Sequence, residues 1–202
     1  MGSDPVAAIL DHSLQATLAV SFGIAWLAAE WYARRSTFRQ GAEARPSSRL
    51  DSGTYPIIAI ALGASLAVVL VSFLFGWGGY LPIWVAWLGV VLLLLGIPMR
   101  VWALVTLGRF FTMPITLRED HRIVRDGPYR YLRHPAYTAG LLMGVGMALI
   151  LATPVGIGVS IAALLAAYVY RIHREEQILI SRFGDAYRDY SARTWRLVPM
   201  IY

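Results

Sequence analysis

Apolar and polar residues separate into long blocks along the chain. Between Asp51 and Arg100, 48 residues pass without an Asp, Glu, Lys or Arg, and between His134 and Arg171 a further 36 do so. The hydrocarbon core of a bilayer takes about 17–25 apolar residues per helix, so each block holds two spans. The pattern predicts an all-α, polytopic integral membrane protein with five transmembrane helices, over about 13–32, 55–75, 81–104, 135–151 and 155–170. Gly76-Trp77-Gly78-Gly79 closes the second span, and Pro98 is expected to kink the third near its end. Only Ala152-Thr153-Pro154 separates the fourth span from the fifth, which predicts a tight antiparallel hairpin. The first span has the length of a signal peptide, but Asp4 and Asp11 stand where a basic leader would be. It reads as a retained helix.

Composition sharpens this picture. The 202 residues are 57% hydrophobic and 15% charged, with mean hydropathy +0.56. Soluble chains average about 25% charged, so a soluble domain and a single-anchor protein are both excluded. The net charge of +6 suggests nucleic acid, but its placement does not. All 18 basic residues are Arg, in three clusters between apolar blocks: Arg34 to Arg49, Arg100 to Arg133 and Arg171 to Arg196. Five spans put every Arg on one side, which the positive-inside bias makes cytoplasmic, with the N-terminus opposite. The chain reads as one membrane domain, 1–202, with three N-terminal spans in 1–105 and the chemistry in 106–202. There is no Cys, which excludes disulfides and a thiol nucleophile, and no metal-ligand set is legible. Gly140-xxx-Gly144 can let the fourth span pack closely on a neighbour.

The spans carry almost no ionisable groups. Glu30 ends the first and is expected to snorkel, and Arg100 closes the third. Function therefore belongs to the cytoplasmic pieces 106–137 and 171–196. In the first, Pro135 suits the opening turn of a helix. That puts Arg133-His134 at a helix N-terminus, where an Arg fork and an imidazole can hold a carboxylate or phosphate. A juxtamembrane anchor for lipid headgroups is an equal alternative. In the second piece Arg171 and Glu175, spaced i, i+4, can face one pocket. The plainer reading is a surface pair worth about 0.3–0.5 kcal/mol. Glu175-Glu176 beside lipid calls for Arg partners. Ile178, Leu179, Phe183, Tyr187 and Tyr190 form a stripe that reads as packing against the bundle or interface. His173 reads as a local structural residue, and His12 lies on the far side.

The order His-x-x-Val, Gly-Pro-Tyr, Arg-His-Pro-x-Tyr, a two-span hairpin, then Arg-x-x-x-Glu-Glu and Phe-Gly-x-x-Tyr resembles the isoprenylcysteine carboxyl methyltransferase family. Related membrane methyltransferases, including phospholipid N-methyltransferases, share the Arg-His-Pro and Glu-Glu signatures. The resemblance covers about 106–198. It implies a pocket for S-adenosylmethionine, with S-adenosylhomocysteine as product, built from the cytoplasmic loop and the C-terminal helix. By position, His121, Arg122, Ile123 and Val124 form an early cofactor segment and Tyr129 lines the same pocket. Arg133, His134, Pro135, Ala136 and Tyr137 form the helix start suited to the methionyl carboxylate, and Glu175 takes another polar group of the cofactor. Arg171 faces the methyl acceptor as catalytic and substrate-binding residue. A further family contact falls on Pro114, which has no side-chain donor. The implied acceptor is lipophilic and enters from the bilayer, with an isoprenylcysteine carboxylate the best fit; no metal is required. A carboxylate needs no general base, whereas an amine or thiol acceptor brings in Glu176 or His173. Two other readings stand beside this one. The first is an NADPH-dependent membrane reductase of sterol-reductase type, its Arg-rich loop holding the 2′-phosphate. The second is a non-enzymatic scaffold whose arginines bind membrane lipids.

Overall fold

The computed structural model describes residues 5–41, 48–49, 54–111, 116–117 and 121–199. Arg39 aside, whose backbone alone is described, the loop residues Arg45, Pro114 and Arg118 lie outside the described residues, as does Asp4. Among the described residues, six α-helices follow in order: α1 (Pro5–Gly41), α2 (Thr54–Phe75), α3 (Ile83–Leu107), α4 (Pro135–Leu151), α5 (Pro154–Phe183) and α6 (Asp185–Ala192). Short 3-10 turns occupy Gly108–Phe110 and Gly127–Arg130. Among the described residues, extended pairing is limited to a two-residue antiparallel ladder, Ser48 opposite Leu117 and Arg49 opposite Thr116, and an isolated parallel bridge between Leu132 and Trp195.

Among the described residues, four helical stretches are long and apolar enough to cross a membrane: His12–Thr37, Pro56–Phe75, Ile83–Phe110 and Pro154–Phe183. Pro135–Leu151 is apolar but shorter, at 17 residues, the lower end of the spanning range. α3 runs through Pro98 and reaches Leu107. α5 does not stop at 170; it continues for another three turns to Phe183, because polar residues that leave the lipid still favour helix. Trp31, Leu74, Trp84, Trp87, Leu94 and Trp102 all point outward with half or more of their surface exposed. That distribution suits hydrocarbon and would be a liability in water.

Glycines bring the helices together. A β-carbon on Gly89 of α3 would collide with the Gly146 carbonyl of α4, and one on Gly96 would meet Met143. Gly140 and Gly144 both face α5, the first beneath the Tyr168 hydroxyl and the second against Leu164. α4 ends on Ala152 at φ 47°, Thr153 follows extended, and Pro154 opens α5. The Leu81 N–H donates to the Ala152 carbonyl at 2.8 Å, so the turn after α2 meets the turn after α4. At the opposite end Glu30 of α1 does not snorkel. It accepts from Arg100 Nε and Nη2 of α3, both at 3.1 Å, and Arg100 Nη1 donates to the Ala136 carbonyl at the start of α4 at 2.9 Å.

Candidate active site

Three stretches remote in sequence meet at the end of the bundle marked by Glu30 and Arg100. Gly127 stands at φ 55°, and a β-carbon there would strike Thr106 and Trp102. Glycine thus allows the Gly127-Pro128 turn to lie flat on α3. The turn presents Tyr129, buried, whose carbonyl accepts the Tyr190 hydroxyl of α6 at 2.7 Å. His134 is the residue before α4 and Pro135 takes the first helical position, where no N–H partner is missed. The chain after α6 laces this start down. Arg133 N–H donates to the Trp195 carbonyl at 2.8 Å, His134 N–H to Arg196 at 3.2 Å, and Thr138 Oγ1 to Leu197 at 2.7 Å.

These pieces surround a cavity of about 120 Å³ that opens to solvent at its mouth. Leu107, Phe110, Phe111 and Val124 supply apolar and aromatic lining. His121 also lines it, its ring 5.0 Å from that of Phe110. Arg122, Ile123, Tyr129, Arg133, His134, Ala136 and Tyr137 are in the lining, and α5 contributes Arg171 and Glu175. Pro135 and Glu176 are not. Pro135 is fully buried at the foot of α4. His173 is exposed beside Gln177, 3.0 Å away.

The two adjacent carboxylates have parted, since neighbours on a helix point about 100° from one another. Glu175 Oε2 accepts the Tyr137 hydroxyl at 2.7 Å, and that hydroxyl accepts from Arg171 Nε at 3.0 Å. The Tyr137 ring stacks on His134 at 5.6 Å and lies 5.3 Å from Tyr168. Glu176 turns instead to the helix start. Its Oε1 lies 3.0 Å from Arg133 Nε and 3.2 Å from His134 Nε2, and its Oε2 2.8 Å from Arg196 Nη2. Arg133 Nη1 also donates to the carbonyls of Ser191 and Thr194. The Arg133-His134 pair therefore already holds an anion, and that anion is a carboxylate of the chain itself.

The stripe on 178–190 does more than pack against the bundle. Gly184 at φ 54° reverses the chain, and α6 folds back so that Tyr187 and Tyr190, with Leu179 of α5, also line the cavity. The Phe-Gly-x-x-Tyr spacing was the available signal. Nothing marked Arg196. Burial pushes the Tyr190 hydroxyl up to about 12, against the pull of Arg133 and Arg125. Burial, then the charges of Glu176 and Glu175, pushes that of Tyr187 far above the phenol range. Burial followed by Glu175 does the same for Tyr129. All three stay neutral at ordinary pH.

Residues 87–181 match the profile of the isoprenylcysteine carboxyl methyltransferase family. Over 120 residues the chain is 32% identical to protein-S-isoprenylcysteine O-methyltransferase B of Arabidopsis thaliana, covering 58% of this chain and 61% of that protein. It is 34% identical over 118 residues to protein-S-isoprenylcysteine O-methyltransferase of Dictyostelium discoideum, covering 57% and 50%. A solved structure of the eukaryotic intramembrane Ras methyltransferase ICMT aligns with TM-score 0.60 at 28% identity, over 72% of this chain and 53% of that one. The chain thus spans about three-fifths of the length of the plant relative and about half of the other two. With its several apolar helices it is an integral, multi-pass membrane protein.

Proposed function

From the match of residues 87–181 to the isoprenylcysteine carboxyl methyltransferase family, we propose an integral-membrane methyltransferase acting from S-adenosylmethionine onto a lipophilic carboxylate, that of an isoprenylcysteine. One observation carries the reading: residues 121–124, Arg133, His134, Ala136, Tyr137, Arg171 and Glu175 line a single cavity at the ends of the helices.

The lining fits such a cofactor. Leu107, Phe110 and Phe111 suit a purine face, and Glu175, held by Tyr137, suits an ammonium group. When bound, S-adenosylmethionine supplies a methyl group already activated on its sulfonium, so the protein's task is to align two reactants and exclude water. Arg171, buried and lining the cavity, orients the acceptor carboxylate. That acceptor is ionised at neutral pH and needs no base. Glu176 acts from behind as a positioning residue, fixing Arg133, His134 and Arg196. His121, Arg122, Ile123, Val124 and Tyr129 complete the cofactor segment, with Pro135 and Ala136 shaping the helix start.

We read α1 to α5 as five spans, α4 being the shortest, with α4 and α5 as a membrane hairpin. The arginine-bearing ends then face the cytosol and the N-terminus lies opposite. The acceptor's apolar chain enters from the bilayer, and residues 106–202 form the catalytic half of one membrane domain.

Calorimetry in detergent with S-adenosylhomocysteine tests this reading, with NADPH as competitor. Binding that weakens on Glu175→Ala and His134→Ala and resists NADPH is expected. No binding, or preference for the dinucleotide, removes the methyltransferase reading. Labelled S-adenosylmethionine added to membranes then identifies the acceptor.

A further inference from the structure

Tyr187 lies in the Phe183-Gly184-Asp185-Ala186-Tyr187 run, where a helical stripe explains its ring but not its hydroxyl. The residue is 3% exposed, its ring 5.9 Å from that of Tyr190. It lines the cavity, yet its hydroxyl oxygen is buried and has no hydrogen-bond partner among the described residues. Tyr190, one turn further on, satisfies its own hydroxyl on the Tyr129 carbonyl. An unpaired buried hydroxyl costs folding free energy, and phenylalanine would pack the same ring without that cost. The charges that act on Tyr187 are those of Glu176, Glu175 and Arg133. Its hydroxyl therefore belongs with the charged part of the lining.

We propose that the Tyr187 hydroxyl is a cofactor-binding group, hydrogen-bonded to the amino-acid end of the bound S-adenosyl compound. The inference rests on the cofactor reading above and adds a contact to it. The amino-acid end carries a carboxylate and an ammonium group, whereas the purine face suits the apolar lining of Leu107, Phe110 and Phe111. A neutral phenol can donate to the first and accept from the second. The unpaired state of Tyr187 in the free protein is thus a stability cost recovered on binding.

The test uses the full chain in detergent, wild type against Tyr187→Phe. Two ligands are compared: S-adenosylhomocysteine, and 5′-methylthioadenosine, which keeps the nucleoside and lacks the amino-acid end. The expected result is about a tenfold loss of affinity for S-adenosylhomocysteine and none for methylthioadenosine. The melting temperature of the ligand-free variant should be unchanged or higher, since no native hydrogen bond is lost. Equal affinities of the two proteins for S-adenosylhomocysteine overturn the proposal. So does an equal loss for both ligands, which places the contact elsewhere, or a lower ligand-free melting temperature, which marks the hydroxyl as structural. A wild type that binds no S-adenosylhomocysteine overturns the cofactor reading itself, and that failure is distinguishable because the variant plays no part in it.

Discussion

Tyr137 donates its hydroxyl to Glu175 Oε2 at 2.7 Å, joining the first turn of α4 to the part of α5 that has left the apolar block. The Tyr137 hydroxyl oxygen in turn accepts from Arg171 Nε, so one phenol spaces a cation and an anion on the cavity lining. Tyr137→Phe removes both bonds while keeping the ring stacked on His134. The affinity for S-adenosylhomocysteine should fall about tenfold, with a stability loss of about 1–2 kcal/mol. Calorimetry and thermal melting check the two effects separately, and the double variant with Glu175→Gln should lose less than the sum.

The adjacent carboxylates should separate cleanly under mutation. Glu176→Ala leaves Arg133, His134 and Arg196 without their shared counter-charge in a largely buried setting. Breaking such a set costs about 3–5 kcal/mol. Glu175→Ala loses a single hydrogen bond, the one Tyr137 donates, and should cost only about 1–2 kcal/mol while weakening ligand binding strongly. Equal melting temperatures for the two variants would contradict this division.

High pH should destabilise the protein through the tyrosines at the cavity end of the bundle. Tyr190 is raised to about 12, and Tyr129 and Tyr187 are raised further, above a free phenol's value of about 10. Below pH ~10 both folded and unfolded chains keep these protons, and stability does not depend on the three groups. Above it the unfolded chain releases protons that the folded chain retains, so stability falls as pH rises. The melting temperature should stay level from pH 8 to about 10 and drop beyond it, with a shallower drop in Tyr187→Phe.

Glycine at the α3–α4 crossing is a requirement of backbone approach. Gly89→Ala places a methyl group against the Gly146 carbonyl, which cannot yield as a side-chain tip can. It should destabilise by about 1–3 kcal/mol or more. Gly158→Ala, in α5 with nothing near its β-position, should be neutral or stabilising by up to about 1 kcal/mol. Thermal melts of the two variants compare them directly.

The helices were legible because lipid forces each crossing segment to satisfy its own backbone hydrogen bonds. The charge-free runs of 48 and 36 residues therefore announce helices by local composition alone. The same logic reads where lipid ends but not where a helix ends, which is why α5 runs on to Phe183. The ordered motifs likewise pointed to residues 121–137 and 171–176 as the chemistry. Which way each side chain faces was another matter. Glu175 and Glu176 sit in the same local sequence, and only the arrival of Arg133 and Arg196 decided that one lines the cavity while the other is spent on holding it together. Those partners lie 43 and 20 residues away, as Tyr187 is brought in by the reversal at Gly184. Hydropathy and motif spacing are properties of neighbours along the chain; the cavity's charges were allotted by contacts between segments that meet only once the bundle has packed.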